Sequence, residues 1–413
     1  MQGIFFEDRQ ITMNFIFVSP QFPHTYWEFC HRLKQNGVTV LGIGDTPYES
    51  LSNELKGSLD DWYYVPNMED YDRMYRAVAF LASKWGRIDW IESNNEYWLA
   101  QDARLRTDFN VRTGIQTDHI DAIKEKSEMK RYYALAGVPS ARQIKAAEGE
   151  EAVRAFAEKT GYPVFAKPDI GVGANGTYKI DDSAALSAFF RDEREWQHYV
   201  VEEFVSGDIA SYDAIVGQGG EPLFESMTMW PPSVADIVKG HLDLSYYVSP
   251  VMPEQLRERG RATVKAFGVF NRFVHLEFFV LGADRPGLGR KGDYVGLEVN
   301  MRPAGGYTPD MINFSHSIDV YKIWADMVAY GKSDVRPGEQ YYCAFASRRD
   351  EHRYRHTHEE ILSRYGKDMV MCERMQGIMV SAMGEQMYTV RLKTFDEMTE
   401  FDRFVHERES GCM

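Results

Sequence analysis

The residues with the clearest chemical capacity begin in the run VFAKPDIGVGANG, residues Val164 to Gly176. An apolar strand delivers Lys167, and Gly171, Gly173 and Gly176 follow before the next strand-like run. Glycines let backbone N–H groups approach anionic oxygens, and a lysine adds a point charge, so such a loop can fold over phosphates. It is not a Walker A loop, since no Lys-Ser or Lys-Thr follows the last glycine. Taken alone, the run also reads as a hairpin turn with a surface lysine.

A second constellation is more specific. VHLEFF (Val274 to Phe279) and GLEVNMRPAGG (Gly296 to Gly306) both read as strands. The two-residue period puts Glu298, Asn300 and Arg302 on one face and Leu297, Val299 and Met301 on the other, while His275 and Glu277 share a face. If the strands are antiparallel neighbours, Glu277 meets Glu298 and the like charges repel. A cation resolves the conflict, and two carboxylates with an amide oxygen suit Mg2+, which fills its shell with phosphates and water. Two solvated edge strands are the plainer reading, set against it by the cost of an unpaired Glu277 inside an apolar run.

Other features say less. In YVVEEFVSGD, Tyr199 to Asp208, a carboxylate beside exposed backbone can hydrogen-bond an adenine amino group and ribose, and a surface charge at a strand end is an equal reading. Gly42-Ile43-Gly44 lacks the third glycine of a dinucleotide fingerprint and reads as turn chemistry. His352, His356 and His358 lack the spacing of helical zinc motifs and, among arginines, read as a solvated helix. The segment Ser226 to Pro250, with Met229, Trp230, Pro231, Pro232, Tyr246 and Tyr247, fits no period and reads as an irregular loop over a cleft that sets substrate choice.

The elements that must hold these groups follow from periodicity. A strand at Asn14 to Val18, a helix from Thr25 to Gln35, a strand at Val38 to Ile43, a helix from Tyr71 to Lys84 and a strand at Ile88 to Ile91 define an open parallel sheet, a Rossmann-like lobe. A helix from Asp121 to Ala136 opens a new lobe. Strands at Val164 to Ala166, Thr177 to Ile180, Tyr199 to Val201 and Ala210 to Val216, with a helix at Ser183 to Arg191, make it α+β. Strands at Val274 to Leu281 and Tyr294 to Met301 precede a helix from Ile318 to Tyr330. Gly331 to Gly338 reads as a linker to a small C-terminal unit. The expected divisions are an extension (1–13), the Rossmann-like lobe (14–112), a small lobe with the glycine loop (113–200), a larger lobe with the metal site (201–332) and the C-terminal unit (333–413).

Composition bounds the function. The 413 residues exceed what one core usually serves, and 44% hydrophobic with 26% charged residues is ordinary for a globular protein. A net charge of −15 argues against nucleic acid as a partner. Cys30, Cys343, Cys372 and Cys412 show no paired spacing, which makes a reducing cytoplasm the default. The opening MQGIFFEDRQ is acidic where an export signal is basic, and the most apolar segment, Phe267 to Leu281, is interrupted by charge.

In combination these residues resemble the ATP-grasp superfamily, and within it the carboxylate-amine ligases that join amino acids, over most of residues 14–330. The resemblance implies an ATP-grasp fold, α/β and α+β, in which two α+β lobes clasp ATP behind the Rossmann-like lobe. The run IKEKSEMKRYYALAGVPSAR, Ile123 to Arg142, aligns Lys126 with one phosphate-binding lysine, with Glu125 where Asp is usual; Lys130 reads as a helix-surface charge. Lys167 matches the second phosphate lysine, and Gly171, Gly173 and Gly176 match the mobile flap. Glu202 and Glu203, either of which can serve, fall where adenine is held, with Phe204 and Val205 beside them. Asp208 stands next to Ile209, which occupies the place of the ribose-binding acid. Glu277, Glu298 and Asn300 match magnesium ligands, Arg302 the arginine that steadies the transferred phosphoryl group, and His275 a histidine near the substrate carboxylate.

The implied cofactors are ATP and Mg2+, with Mn2+ as an alternative metal. The implied substrates are a carboxylate and an amine, amino acids foremost, with neither nucleic acid nor membrane as partner and with a homodimer admitted. The activity implied is amide or peptide bond formation through an acyl phosphate. Activation of bicarbonate or formate, or ATP binding without catalysis, are the alternatives, and a dehydrogenase based on the first lobe lacks its glycine fingerprint.

Overall fold

The computed structural model describes residues 13–171, 176–230, 242–375, 377 and 379–409. The first lobe is a parallel sheet in the order β3-β2-β1-β4, formed by β1 (Asn14–Val18), β2 (Thr39–Gly44), β3 (Asp61–Tyr64) and β4 (Trp90–Glu92). From Phe15 to Val18 β1 is apolar because both of its faces are covered. Phe15 and Phe17 enter one core, and Ile16 and Val18 the other, all fully buried. Gly42 and Gly44 lie in β2 rather than in a turn, and a Cβ at Gly42 would stand 2.6 Å from the ring of Trp62. Their glycine character serves close packing of that indole.

The second sheet, in the order β5-β8-β6-β7, comprises β5 (Gln143–Lys145), β6 (Val164–Pro168), β7 (Tyr178–Ile180) and β8 (Tyr199–Glu203). It is antiparallel and packs helices Glu150–Thr160 and Ser183–Asp192 on a core of its own. The helix expected from Asp121 to Ala136 is two helices, Ile120–Lys124 and Lys126–Leu135, separated at Glu125, whose ψ of 115° is extended. Lys126 therefore opens a helix. That helix docks on the large lobe through Tyr133, whose ring leaves no room for a Cβ at Gly296.

The third sheet has eight strands in the order β13-β12-β9-β10-β11-β14-β16-β15. These are β9 (Gly207–Val216), β10 (Pro222–Trp230), β11 (Ser245–Ser249), β12 (Arg272–Leu281), β13 (Tyr294–Asn300), β14 (Tyr342–Arg348), β15 (Met369–Arg374) and β16 (Gln386–Leu392). Two expectations need correction. Most of the segment expected to be irregular, Ser226 to Pro250, is strand on both sides of 231–241, which lie outside the described residues together with Pro231 and Pro232. Trp230 and Tyr246 stack at 4.4 Å between centroids, and Tyr246 stacks on Phe345 at 4.9 Å, so aromatic burial on a covered sheet replaces the expected alternation. The C-terminal strands, moreover, continue the sheet that carries β12 and β13, joined to it through β11 and β14.

Buried contacts tie the first lobe to the eight-stranded sheet. Trp324, on the helix Val320–Tyr330, packs edge-on against Phe15 and Phe29. Arg272 on β12 pairs with Glu92 Oε2, at the end of β4, at 2.6 Å, and Arg106 meets the same oxygen at 3.4 Å, with all three side chains buried. Among the described residues no helix is long and apolar enough to cross a membrane.

Candidate active site

The two acidic strands pair as the period required. In the antiparallel β12–β13 register Glu277 faces Glu298 and His275 faces Asn300. A bulge after Glu277 brings Phe278 opposite Gly296, so Leu297 has no partner and is only half-buried, while Val299 and Met301 are buried in the core. Arg302, just past β13, lies with its NH2 3.4 Å from the Asn300 amide oxygen and its Nε 3.7 Å from Glu96.

The lysines reach this place from the small lobe and its leading helix. Asp169, directly after β6, accepts hydrogen bonds from the Ser127 backbone N–H (2.8 Å) and hydroxyl (2.7 Å), and Lys126 N–H donates to the Asp169 carbonyl (3.0 Å). An extra pair of acceptors at a helix start satisfies N–H groups the helix leaves open. The result holds the Lys126 ammonium 3.0 Å from the Gly171 carbonyl and 3.3 Å from Glu298. Lys167 on β6 reaches Glu202 on β8 at 2.9 Å. At the far end of the glycine loop, Gly176 has φ +72°, and a Cβ there would come 2.9 Å from the Tyr199 hydroxyl. Gly173 lies outside the described residues.

One residue of this cluster was misread from sequence. Lys130, expected on the helix surface, is buried, one turn after Lys126 on the same helix, with its ammonium 3.0 Å from Glu202. Glu202 thus sits between two ammonium groups. Burial pushes its carboxyl up, but Lys130 and Lys167 outweigh this and hold it at about 2. Burial lowers the Lys130 ammonium, with Glu202 opposing and Lys167 adding to the shift. Burial acts the same way on Lys167, but Glu202, Glu298 and Glu277 outweigh it and raise the group.

Glu203, on the opposite face of β8, is drawn away from the cluster. Its carboxylate accepts from Arg142 Nε (3.0 Å), NH2 (2.6 Å) and backbone N–H (2.8 Å). Burial raises its carboxyl, and these bonds bring it below the ordinary range. Of the two glutamates left open by the sequence, only Glu202 faces the lysines. Phe204 is half-buried under the Lys179 ammonium, Val205 packs with Ala141, Leu281 and Val295, and Asp208 is exposed at the start of β9, paired with Val280.

His275 stands between two carboxylates, its Nδ1 2.7 Å from Asp213 and its Nε2 3.1 Å from Glu277. Burial would lower the imidazole, but Asp213 and then Glu277 lift it to about 9. For Glu277, burial is the largest influence and raises the carboxyl; the His275 hydrogen bond and charge, with Arg302 and Lys167, hold it below the usual range. The histidines of the tail do not converge. His352 meets Asp243, His356 meets Glu407 and His358 meets the Tyr388 hydroxyl, and only His358 lies in the helix His358–Tyr365.

The donor set fits a hard divalent cation. Glu277 and Glu298 oppose each other on neighbouring strands, with the Asn300 amide one period along, and a group of cations already faces them. Lys126, Lys130, Lys167 and Arg302 converge here, set among Glu96, Glu202, Glu277 and Glu298, and four cationic groups so gathered can turn to a polyanion.

No family model matches the chain. It is similar to the carbamoyl phosphate synthase large chain of Bifidobacterium adolescentis, 23% identical over 297 residues, covering 68% of this chain and 25% of that one. It is also similar to the L-arginine-specific L-amino acid ligase of Bacillus subtilis, 24% identical over 283 residues, covering 66% of this chain and 65% of that one. The chain thus spans a quarter of the first relative's length and just under two thirds of the second's. The crystal structure of the L-amino acid ligase from Bacillus licheniformis superposes with a TM-score of 0.69 at 15% identity, over 95% of this chain and 96% of that one. Two antiparallel lobes meeting over lysines and paired acids, behind a parallel lobe, are the ATP-grasp fold, and this chain has it. The biotin carboxylase of Campylobacter jejuni superposes equally well, with a TM-score of 0.68 at 14% identity over 94% of this chain and 89% of that one.

Proposed function

We propose that the chain is an ATP- and Mg2+-dependent carbon–nitrogen ligase that activates a carboxylate as an acyl phosphate and passes it to an amine, with an amino acid among its substrates. The observation that carries this reading is the in-register pair Glu277 and Glu298, set beside Lys126 and within the field of Lys167.

An unactivated carboxylate does not accept an amine near neutral pH, so a leaving group must first be installed. The γ-phosphoryl of ATP moves to a carboxylate oxygen and ADP departs; the amine then attacks the acyl carbon and phosphate leaves, with a proton lost from nitrogen. Glu277, Glu298 and Asn300 would hold Mg2+, which offsets charge on the nucleotide phosphates. Lys126, Lys130 and Lys167 bind the phosphates, with Glu202 keeping the last two lysines in place between turnovers. Arg302 neutralises charge on the carboxylate under attack. The glycine-rich sequence from Gly171 to Gly176 suits a cover over the phosphates that would keep water from the acyl phosphate, though residues 172–175 lie outside the described residues. Glu202 rather than Glu203 faces the nucleotide, since the Glu203 carboxylate is engaged by Arg142.

Mass spectrometry of products from ATP, Mg2+ and pooled amino acids, alongside ADP release, tests this reading. An ATP-dependent condensation product supports it. ADP formation with bicarbonate or formate but with no amino acid would move the chain to the other activation chemistry. Binding of ATP with no ADP under any mixture would make it a non-catalytic nucleotide module.

A further inference from the structure

The Asp213 carboxylate, on β9 and wholly buried, lies outside the set of groups assigned above to metal or phosphate. Three donors converge on it: the Ser211 hydroxyl at 2.7 Å, the Thr228 hydroxyl at 3.0 Å and His275 Nδ1 at 2.7 Å. The Ser211 hydroxyl is itself held by Trp230 Nε1 at 3.2 Å, and the Trp230 indole meets the His275 ring edge-on at 6.0 Å and stacks on Tyr246. His275 passes the arrangement on to Glu277 through Nε2. A chain of side chains therefore runs from the aromatic stack on β10 and β11 through Ser211, Asp213 and His275 to one of the two opposed carboxylates.

We infer that Asp213 is a positioning residue for Glu277: by fixing the orientation of the His275 ring it holds the Glu277 carboxylate where it can serve a divalent cation together with Glu298. This rests on the metal site proposed above and adds to it the group that aims one ligand. A buried imidazole with only one anchored nitrogen can turn about its χ2 torsion. Anchored at Nδ1, it presents Nε2–H to Glu277 in a single direction, leaving the second carboxylate oxygen free. Asp213 suits the anchor because its two oxygens accept three hydrogen bonds and it needs no water. Groups that orient a metal's ligands typically change metal affinity about 10- to 100-fold when removed.

The test is calorimetric binding of ADP, with and without Mg2+, to the parent, Asp213→Asn, His275→Asn and the double variant. In the parent, Mg2+ tightens ADP binding. Asp213→Asn keeps the shape but loses the charge, and it is expected to cut that tightening by about tenfold or more. ADP affinity without metal should stay within about twofold, since the phosphate lysines are untouched. Because Asp213 acts through His275, the double variant should lose no more than His275→Asn alone. A structural role would instead lower metal-free and metal-dependent affinity together and make the losses multiply. If Asp213→Asn does not fold, Asp213→Ser, which keeps an acceptor without the charge, carries the same expectation. Full retention of the Mg2+ effect in the aspartate variant, or independent losses in the double variant, overturns the inference while leaving the ligase reading standing. Absence of any Mg2+ effect in the parent removes the metal site, and this inference with it.

Discussion

Replacing Glu202 by Gln removes one charge from between two buried ammonium groups while keeping the side chain's shape. In the parent, burial opposes ionisation of Glu202, yet Lys130 and Lys167 bring its carboxyl from 4.5 to about 2. At about 1.4 kcal/mol per pH unit, that depression corresponds to about 3 kcal/mol of stability at neutral pH. The sign follows from the direction of the shift. A carboxylate depressed in the folded state contributes fully above its unfolded value near 4.5, and the contribution is lost as pH falls toward about 2. The variant should therefore be about 3 kcal/mol less stable than the parent at pH 7, with the gap closing below about pH 4.5. Urea denaturation followed by circular dichroism at pH 7, 5 and 4 measures it. MgATP should restore more stability to the variant than to the parent, because phosphates replace the missing charge between the lysines. Equal stability of the two proteins at pH 7, or a gap that does not change with acid, would refute the view that Glu202 is held ionised by these lysines.

Lys167→Ala should abolish ADP formation with the cognate substrates and shift the melting temperature by no more than a few degrees, since Lys130 still pairs with Glu202; near-parental turnover would remove Lys167 from the phosphate site. Asp310 offers a stabilising change. Burial, against the Tyr321 hydrogen bond, raises its carboxyl from 3.8 to about 7, so its ionisation weakens the fold progressively as pH rises between those values. Asp310→Asn keeps an acceptor for Tyr321 and should gain on the order of 2 to 4 kcal/mol at pH 8 and nothing near pH 4, as read from urea midpoints.

The two acidic strands were legible because a period of two is a local property: Glu298 and Asn300 could be placed on one face of their strand and His275 and Glu277 on one face of theirs, whereas the pairing that sets Glu277 opposite Glu298 was a condition the structure meets. Lys167 could be placed on its strand for a similar reason. Lys130 was not. Its burial depends on Glu202, far along the chain on β8, which Lys130 reaches from the helix that starts after the break at Glu125. The choice between Glu202 and Glu203 likewise needed Arg142, contributed by the segment just before β5. β10 and β11 escaped notice because stacked aromatic rings on a covered sheet do not alternate with polar residues. Asp213 carries no signal in the sequence, because two of the three donors that meet on it, Thr228 and His275, come from other strands.

The three sheets are not equally fastened to one another. Trp324 against Phe15 and the Arg272–Glu92 pair fasten the parallel lobe to the eight-stranded sheet, and the tail strands belong to that sheet too. Together they form a frame, whereas the four-stranded sheet that carries Lys167 and Glu202 has a separate core and meets the frame near Ala141 and Val205. A hinge at those two points would alter the distance from Lys167 to Glu298 and leave the spacing of Glu277 and Glu298 untouched. The paired acids and the helix that carries Lys126 and Lys130 both belong to the frame, so such a hinge would carry only Lys167 and Glu202.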